Sequence, residues 1–374
     1  MTNGGLTAYM NRTIASIVSD ALRHTLQNPR ETAFLLRYRQ SAAQAAQKRL
    51  AMEQAGQHVP AFLIASIANS CNLFCTGCYA RAGGVCCETD GKTVLTGAEW
   101  DDIFTQAAAL GIGIHLLAGG EPLLRRDVLQ KAVRHTDTLF PIFTNGTLID
   151  CEYLQLFDRH RNLLPVLSLE GNAEQTDGRR GAGVYQTITG RMHALADKKI
   201  LFGASLTVTA QNLDELTNAA FYTHLQQCGC RLVFLVEYVP VDPFTQTLAL
   251  SDSGRKQLEK RLAALRAQYP AMLFLAFPGD EKALGGCLAA GRGFFHINPY
   301  GAAEACPFAP YSDVNLREHS LLRRCSPTFS SGCGGAYFCQ PAGGRLRIVC
   351  KRAQVEASCS PPRIRHARPK KWRK

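Results

Sequence analysis

Three cysteines, Cys71, Cys75 and Cys78, stand in the run Ala-Asn-Ser-Cys-Asn-Leu-Phe-Cys-Thr-Gly-Cys-Tyr-Ala, spaced C-x3-C-x2-C. Three thiolates on one short loop suit three corners of an iron–sulfur cluster, with the fourth iron open to a substrate or cofactor. Zinc is the other reading of this spacing. It wants a fourth protein ligand, and with no His close on either side Cys86 or Cys87 would have to serve. Downstream lie three short polar or Gly-rich motifs: Gly119-Gly120-Glu121-Pro122, Asn145-Gly146-Thr147 and Ser168-Leu169-Glu170-Gly171. A second cysteine pattern follows, in which Cys287 precedes Gly301 by thirteen intervening residues and Cys306 follows four more.

These motifs need elements to hold them. Residues 6–55 carry apolar positions at helical spacing with one breaker, Pro29, and read as two or three helices. From residue 61 short β-branched runs alternate with amphipathic segments. Strands are expected at 61–68, 112–118, 140–144, 164–169, 200–208 and 231–239, and beyond them a helix near 254–268 and a strand near 272–277 lead to the second cysteine pattern. Helices are expected at 97–110 (Thr96 as N-cap), 125–135, 153–159, 185–196 and 214–227. Repeated β/α units imply a parallel sheet with right-handed crossovers. Function in such sheets gathers at the carboxyl ends of the strands. All four motifs from the cysteine loop to Gly171 fall at those ends, which argues that they form one site. His115 and His296 lie on strands and read as buried core or pocket residues.

The chain has 374 residues, 15 cysteines, and 46% hydrophobic against 19% charged residues, a balance that buries a core. No apolar run approaches the roughly 20 residues that span a bilayer. The N-terminus lacks a signal-peptide design, so a cytoplasmic enzyme is expected and the cysteines read as ligands or buried thiols rather than disulfides. Residues 321–374 hold thirteen Lys or Arg and one acid, Glu356, which accounts for the whole formal charge of +12. The first 320 residues are balanced, so nucleic acid is not expected as the partner of the folded part.

On the cysteine loop and the Gly119–Pro122 motif, residues 61–240 resemble the radical S-adenosylmethionine (SAM) superfamily. The resemblance implies a partial (β/α)6 TIM-like barrel with a helical N-terminal cap and a small cysteine-containing C-terminal extension. It implies that Cys71, Cys75 and Cys78 bind a [4Fe–4S] cluster, with SAM on the fourth iron. Gly119, Gly120, Glu121 and Pro122 would recognise the methionine end, the glycines letting the backbone approach the ligand. Asn145, Ser168, Glu170 and Arg180 would complete the cofactor site, with Arg179 as competitor to Arg180. Glu237 to Pro240 would border adenine or play an edge-strand role. Relatives often carry an aromatic residue just before the third cysteine, where this chain has Gly77; Phe74 or Tyr79 would then supply a stacking face. The implied chemistry is reductive cleavage of SAM to a 5′-deoxyadenosyl radical that takes hydrogen from the substrate, in a barrel lined by apolar side chains. It needs a one-electron reductant such as ferredoxin or flavodoxin.

Cys287 and Cys306 resemble the opening of SPASM and twitch extensions, in which a β-hairpin carries ligands of an auxiliary iron–sulfur cluster; a plain hairpin with two thiols is the alternative. Such an extension favours a peptide or protein substrate, with a small molecule or cofactor precursor as the enzymatic alternative and a non-catalytic metal protein as the different-class one. The expected organisation is a cap at 1–58, a core at 59–245, an extension at 246–322 and a basic tail at 323–374. The tail loses acids and shows no helical or strand period. We read it as a translation whose frame has slipped near Leu322, against a divergent cluster domain or a basic arm.

Overall fold

A computed structural model describes residues 3–25, 28–83, 85–86, 91–240, 243–284, 286–309, 312, 314–325, 337–342 and 345–350. The N-terminal segment is two helices, α1 (Asn3–Thr25) and α2 (Pro29–Gln54). Pro29 opens α2, where its missing N–H is no loss, and the Asn28 side chain accepts from the Glu31 N–H. The next elements are β1 (Phe62–Ala68), α3 (Tyr79–Ala82), α4 (Gly97–Leu110) and β2 (Ile114–Gly119). They are followed by α5 (Arg126–Ala132), β3 (Phe140–Thr144), α6 (Cys151–Arg159) and β4 (Leu163–Leu169). Then come α7 (Ala173–Arg180), α8 (Val184–Asp197), β5 (Gly203–Val208), α9 (Ala219–Gln227) and β6 (Leu232–Glu237). The chain continues through α10 (Asp252–Gln268), β7 (Leu273–Phe277), β8 (His296–Ile297), β9 (Ala303–Glu304) and α11 (Leu321–Arg324).

Local chemistry sets several boundaries. Thr96 and Glu99 form a reciprocal capping box at the start of α4, and Gly111 ends it at φ 87°. The helix α7 is absent from the sequence reading: its eight residues, Ala-Glu-Gln-Thr-Asp-Gly-Arg-Arg, bury only Thr176 and have no apolar period to find.

Among the described residues, nine strands form one open sheet in the order β7-β6-β5-β4-β3-β2-β1-β8-β9. Every pairing from β7 to β8 is parallel, and β9 turns back antiparallel on β8. The partial barrel is thus longer than six strands. The segment expected as a separate extension supplies β7 to one edge and the β8–β9 hairpin to the other. Glu237 is consequently not on an edge strand: β6 pairs with both β5 and β7, and Glu237 is ion-paired with Arg255 at 2.9 Å.

Alternation along the strands separates two faces. Leu63, Ala65, Ile67, Leu117, Leu167, Leu206 and Val233 join the large core under the helices. On the opposite face Leu164, Val166 and Phe234 cluster with Phe143, Leu275 and Phe277. The α1 stripe Leu6, Met10, Ile14 and Val18 packs with Phe34 and Tyr38 of α2 and with Phe62, Ile64, Ile114 and Phe277, so the N-terminal pair covers the start of the sheet's inner face. By alternation Ser66, Ser168, Ser205 and Thr207 share this inner face at its carboxyl end. The expected apolar lining therefore holds for the first half of the strands, and the half nearest the loops is hydroxyl-bearing. Among the described residues no helix is long and apolar enough to cross a membrane.

Of the tail, Tyr337–Ala342 (β10) and Arg345–Cys350 (β11) form an antiparallel hairpin, an element the missing strand period did not anticipate. The rest of 326–374, including Cys333 and Cys359, lies outside the described residues.

Candidate active site

The cysteine loop leaves β1 at Ala68, and the Gly119–Pro122 loop leaves the neighbouring β2. The two are laced together: the Gly120 and Glu121 N–H groups donate to the Ala68 and Ser70 carbonyls, each at 2.8 Å. A Cβ on Gly119 would sit 2.5 Å from the Ala68 oxygen, and one on Gly120 would sit 2.0 Å from the Ser70 oxygen. Contact with the Ala68–Ser70 backbone is by itself enough to require glycine at both positions. The Glu121 carboxylate is likewise turned inward. It accepts from Leu123 N–H, Thr144 Oγ1 and Asn145 N–H at 2.7 to 3.0 Å. Burial pushes its pKa up, and those bonds hold it down. Pro122 is buried and opens the short 3-10 turn that follows.

Asn145, at the end of β3, reaches the same loop. Its Nδ2 donates to Asn72 Oδ1 at 2.9 Å and lies 3.9 Å from Cys71 Sγ, while its Oδ1 accepts from Thr147 N–H at 3.0 Å. It is a turn residue and a neighbour of the first cysteine at once.

From β4, Glu170 is buried and its Oε1 accepts from Arg179 Nη1 (2.5 Å) and from Arg180 Nε and Nη2 (2.9 and 2.6 Å). Both arginines come from the last turn of α7. Arg179 also exchanges bonds with Thr76 of the cysteine loop: its carbonyl accepts from Thr76 N–H at 3.0 Å and its Nε donates to Thr76 O at 3.1 Å. So the two arginines the sequence offered as competitors act as a pair. Glu170 Oε2 is buried with no hydrogen-bond partner among the described residues. Ser168 is half-buried, two residues before it on the same face.

Cys71, Cys75 and Cys78 are half-buried free thiols. Burial pushes the Cys75 thiol up, and Arg180 and Arg179 pull it back. Burial works against the Arg180 cation too, but Glu170 and Cys75 more than offset it and raise its pKa. Arg81 ties the loop from the far side, donating to the Cys71 and Leu73 carbonyls at 3.1 and 2.8 Å with its guanidinium 3.8 Å above the Phe74 ring. Phe74 is otherwise 79% exposed.

Gly77 has φ +67°, and a Cβ there would meet the Tyr238 hydroxyl at 2.6 Å. The space beside Gly77 is therefore filled by a ring from the far end of β6. Sequence reasoning weighed only the backbone at 238, because nothing in a linear pattern says which strand end leans on which loop. Among the described residues no three His, Cys, Asp or Glu side chains are grouped as a single-ion site. Cys86 is buried in a small cluster against which Cys71 and Cys78 pack, and Cys87 lies outside the described residues.

Cys287 and Cys306 come together beside the β8–β9 hairpin. Burial pushes Cys306 up to about 12, with Cys287 and Glu281 adding to the rise. Burial and the neighbouring Cys287 push Glu281 up to about 8. The expected strand and turn are present, with Gly301 at φ 92°. The pattern searched for cysteines and passed over this carboxylate.

Residues 65–219 match the Radical SAM superfamily. The chain is 32% identical over 149 residues to the Fe-coproporphyrin III synthase of Methanosarcina barkeri, covering 39% of this chain and 36% of that protein. It is 25% identical over 318 residues to a PqqA peptide cyclase of Methylobacterium sp. (strain 4-46), covering 75% and 77%. Among solved structures, that of Streptococcus suis SuiB bound to its precursor peptide SuiA superposes with a TM-score of 0.61 at 16% identity, over 83% of this chain and 76% of that one. The match thus spans about a third of the first relative's length and over three quarters of the second's.

Proposed function

We propose, from the match of residues 65–219 to the Radical SAM superfamily, that Cys71, Cys75 and Cys78 bind three irons of the [4Fe–4S] cluster on which that family works. The residues fit the group. Three unpaired thiols share one loop, two guanidiniums beside Cys75 offset thiolate charge, and a buried carboxylate oxygen at Glu170 is left for a ligand hydroxyl or amine. When bound and reduced, the cluster with SAM supplies a 5′-deoxyadenosyl radical that takes a hydrogen from the substrate. The single observation that carries the assignment is the clamp of Arg179 on Thr76 and of both arginines on Glu170, which joins the cysteine loop to the β4 end.

Each residue then has a task. Arg180 and Arg179 offset part of the cost that burial puts on a Cys75 thiolate, since a cation nearby favours the charged state. Asn145 and Arg81 hold the Cys71 end of the loop, and Gly119 and Gly120 let the neighbouring loop lie against it. Glu170 Oε2 and Ser168 accept from the hydroxyl or ammonium groups of SAM. Cys287 and Cys306 are assigned to an auxiliary cluster.

The substrate we assign is a peptide. This is supported by the likeness, over three quarters of both chains, to a protein named as a peptide cyclase and by the fold shared with SuiB. A tetrapyrrole or other small molecule is the second reading, favoured by the 32% identity to a coproporphyrin-named enzyme. The reductant is a low-potential ferredoxin or flavodoxin in the cytoplasm.

The test is anaerobic reconstitution followed by dithionite and SAM, with 5′-deoxyadenosine assayed in the wild type and Cys75→Ala. Product from the wild type alone supports the assignment. Colourless protein holding zinc refutes it. A short open reading frame beside the gene whose peptide changes mass on incubation supports the peptide reading; turnover with a porphyrin and none with the peptide overturns it.

A further inference from the structure

Thr76 and Gly77 separate Cys75 from Cys78, and each is met by a residue from across the mouth of the barrel. Both backbone groups of Thr76 are taken by Arg179, whose carbonyl accepts at 3.0 Å and whose Nε donates at 3.1 Å. Gly77 is met by Tyr238, one residue past the end of β6. The glycine has φ +67°, and a Cβ there would lie 2.6, 3.0 and 3.1 Å from Oη, Cε2 and Cζ of the Tyr238 ring. The hydroxyl edge of the ring thus occupies the place that a side chain at 77 would take.

Tyr238 is itself fixed at both ends. Its N–H donates to the Val208 carbonyl at the end of β5 at 2.9 Å, and its hydroxyl donates to Thr245 Oγ1 at 2.7 Å. The side chain is buried, and a packed ring with its hydroxyl bonded yields less readily than a free side-chain end. The Cys71 end of the loop is held by other groups, Asn145 and Arg81. The two ends of the cysteine loop therefore have separate supports, and Tyr238 bears on the second.

We propose that Tyr238, braced by Thr245, is a positioning residue that fixes the Cys75–Cys78 turn by bearing on Gly77. The consequence for the cluster rests on the proposed ligand roles of Cys75 and Cys78, but the contact belongs to the metal-free chain and is tested there. Metal-free full-length protein is treated with iodoacetamide, and alkylation of Cys71, Cys75 and Cys78 is followed by peptide mass spectrometry against exposed Cys151. Tyr238→Leu removes the three ring atoms nearest Gly77. It should speed Cys75 and Cys78 at least about fivefold and leave Cys71 within about twofold, since only one end of the loop is released. Gly77→Ala should act alike by pushing the turn off the ring, and the double variant should be no faster than the faster single, because both break one shared contact. Tyr238→Phe keeps the ring, loses the Thr245 bond and stays informative where Tyr238→Leu fails to fold; it should speed both thiols at least about twofold. Smaller rises, a Cys71 rate that climbs in step, or single effects that multiply in the double overturn the strut. In reconstituted protein Tyr238→Phe should shift the g-values of the reduced cluster at unchanged iron content, and an identical spectrum overturns the consequence for the cluster. A wild type that takes up no iron would overturn the ligand assignment instead and leave the alkylation result standing.

Discussion

Gly120→Ala should disable the site through one methyl group. The added Cβ would lie 2.0 Å from the Ser70 carbonyl oxygen and 2.5 Å from its carbon, in a strip of backbone with no flexible side chain to give way. Restoring ordinary contact needs a shift of about 1 Å or more between the two loops. That shift breaks or stretches the two 2.8 Å bonds from Gly120 and Glu121 to the Ala68 and Ser70 carbonyls, each worth roughly 1 kcal/mol. With overpacking added, the loss of stability should be about 2–4 kcal/mol. Ser70 precedes Cys71, so the same displacement moves the first thiol. A misplacement of about 1 Å in a reacting constellation costs roughly a hundredfold in rate. The assay is iron content after anaerobic reconstitution, 5′-deoxyadenosine rate and thermal unfolding, with Gly190→Ala as control. Gly190 lies in α8, where an added Cβ would have nothing within 4 Å, and the control should gain roughly 0.5–1 kcal/mol. Iron content and rate within twofold of wild type in Gly120→Ala would refute the steric argument.

Glu170→Gln leaves Arg179 and Arg180 without their carboxylate; breaking a buried pair of this kind costs about 3–5 kcal/mol, and SAM binding by calorimetry should weaken at least tenfold, an unchanged affinity arguing against the assigned role. His115, between Phe104 and Phe140, is pushed down to about 3 by burial. Its folded-state pKa lies below the unfolded value of 6.5, so its contribution is present above pH 6.5 and lost as pH falls toward 3. His115→Leu should therefore flatten the decline of unfolding free energy between pH 6.5 and 4, and an unchanged slope would count against a buried neutral imidazole. The nucleotide sequence past the Leu322 codon should encode, in another frame, an acid-containing patterned end with further cysteines; if neither alternative frame does, the basic tail is native.

Much of the site was legible because its parts are local. A C-x3-C-x2-C loop after a strand, a Gly-Gly-Glu-Pro after the next, and short β-branched runs around them depend on neighbours in sequence, and the N-cap at Thr96 falls where the pattern placed it. The strands from β1 to β6 were found for the same reason: β1, β3 and β4 are buried on nearly every residue and read as apolar runs, and β2, β5 and β6 keep a largely apolar, buried outer face. What the chain could not say in one dimension is which distant groups meet. The pairing of Arg179 with Arg180 on Glu170, the ring of Tyr238 over Gly77, and the row from Glu304 through His296 to Ser66 join segments up to some 230 residues apart. The helix carrying the arginines has almost no buried face, so it left no period to detect. The sequence determined the ligand types, their order and the parallel sheet that collects them, because those follow from local spacing and burial. Tertiary structure alone decided that the glycines serve the neighbouring loop, that Glu121 faces inward, and that the hairpin joins the barrel's edge beside β1, because steric fit and hydrogen-bond pairing are settled only when the strands close on one another.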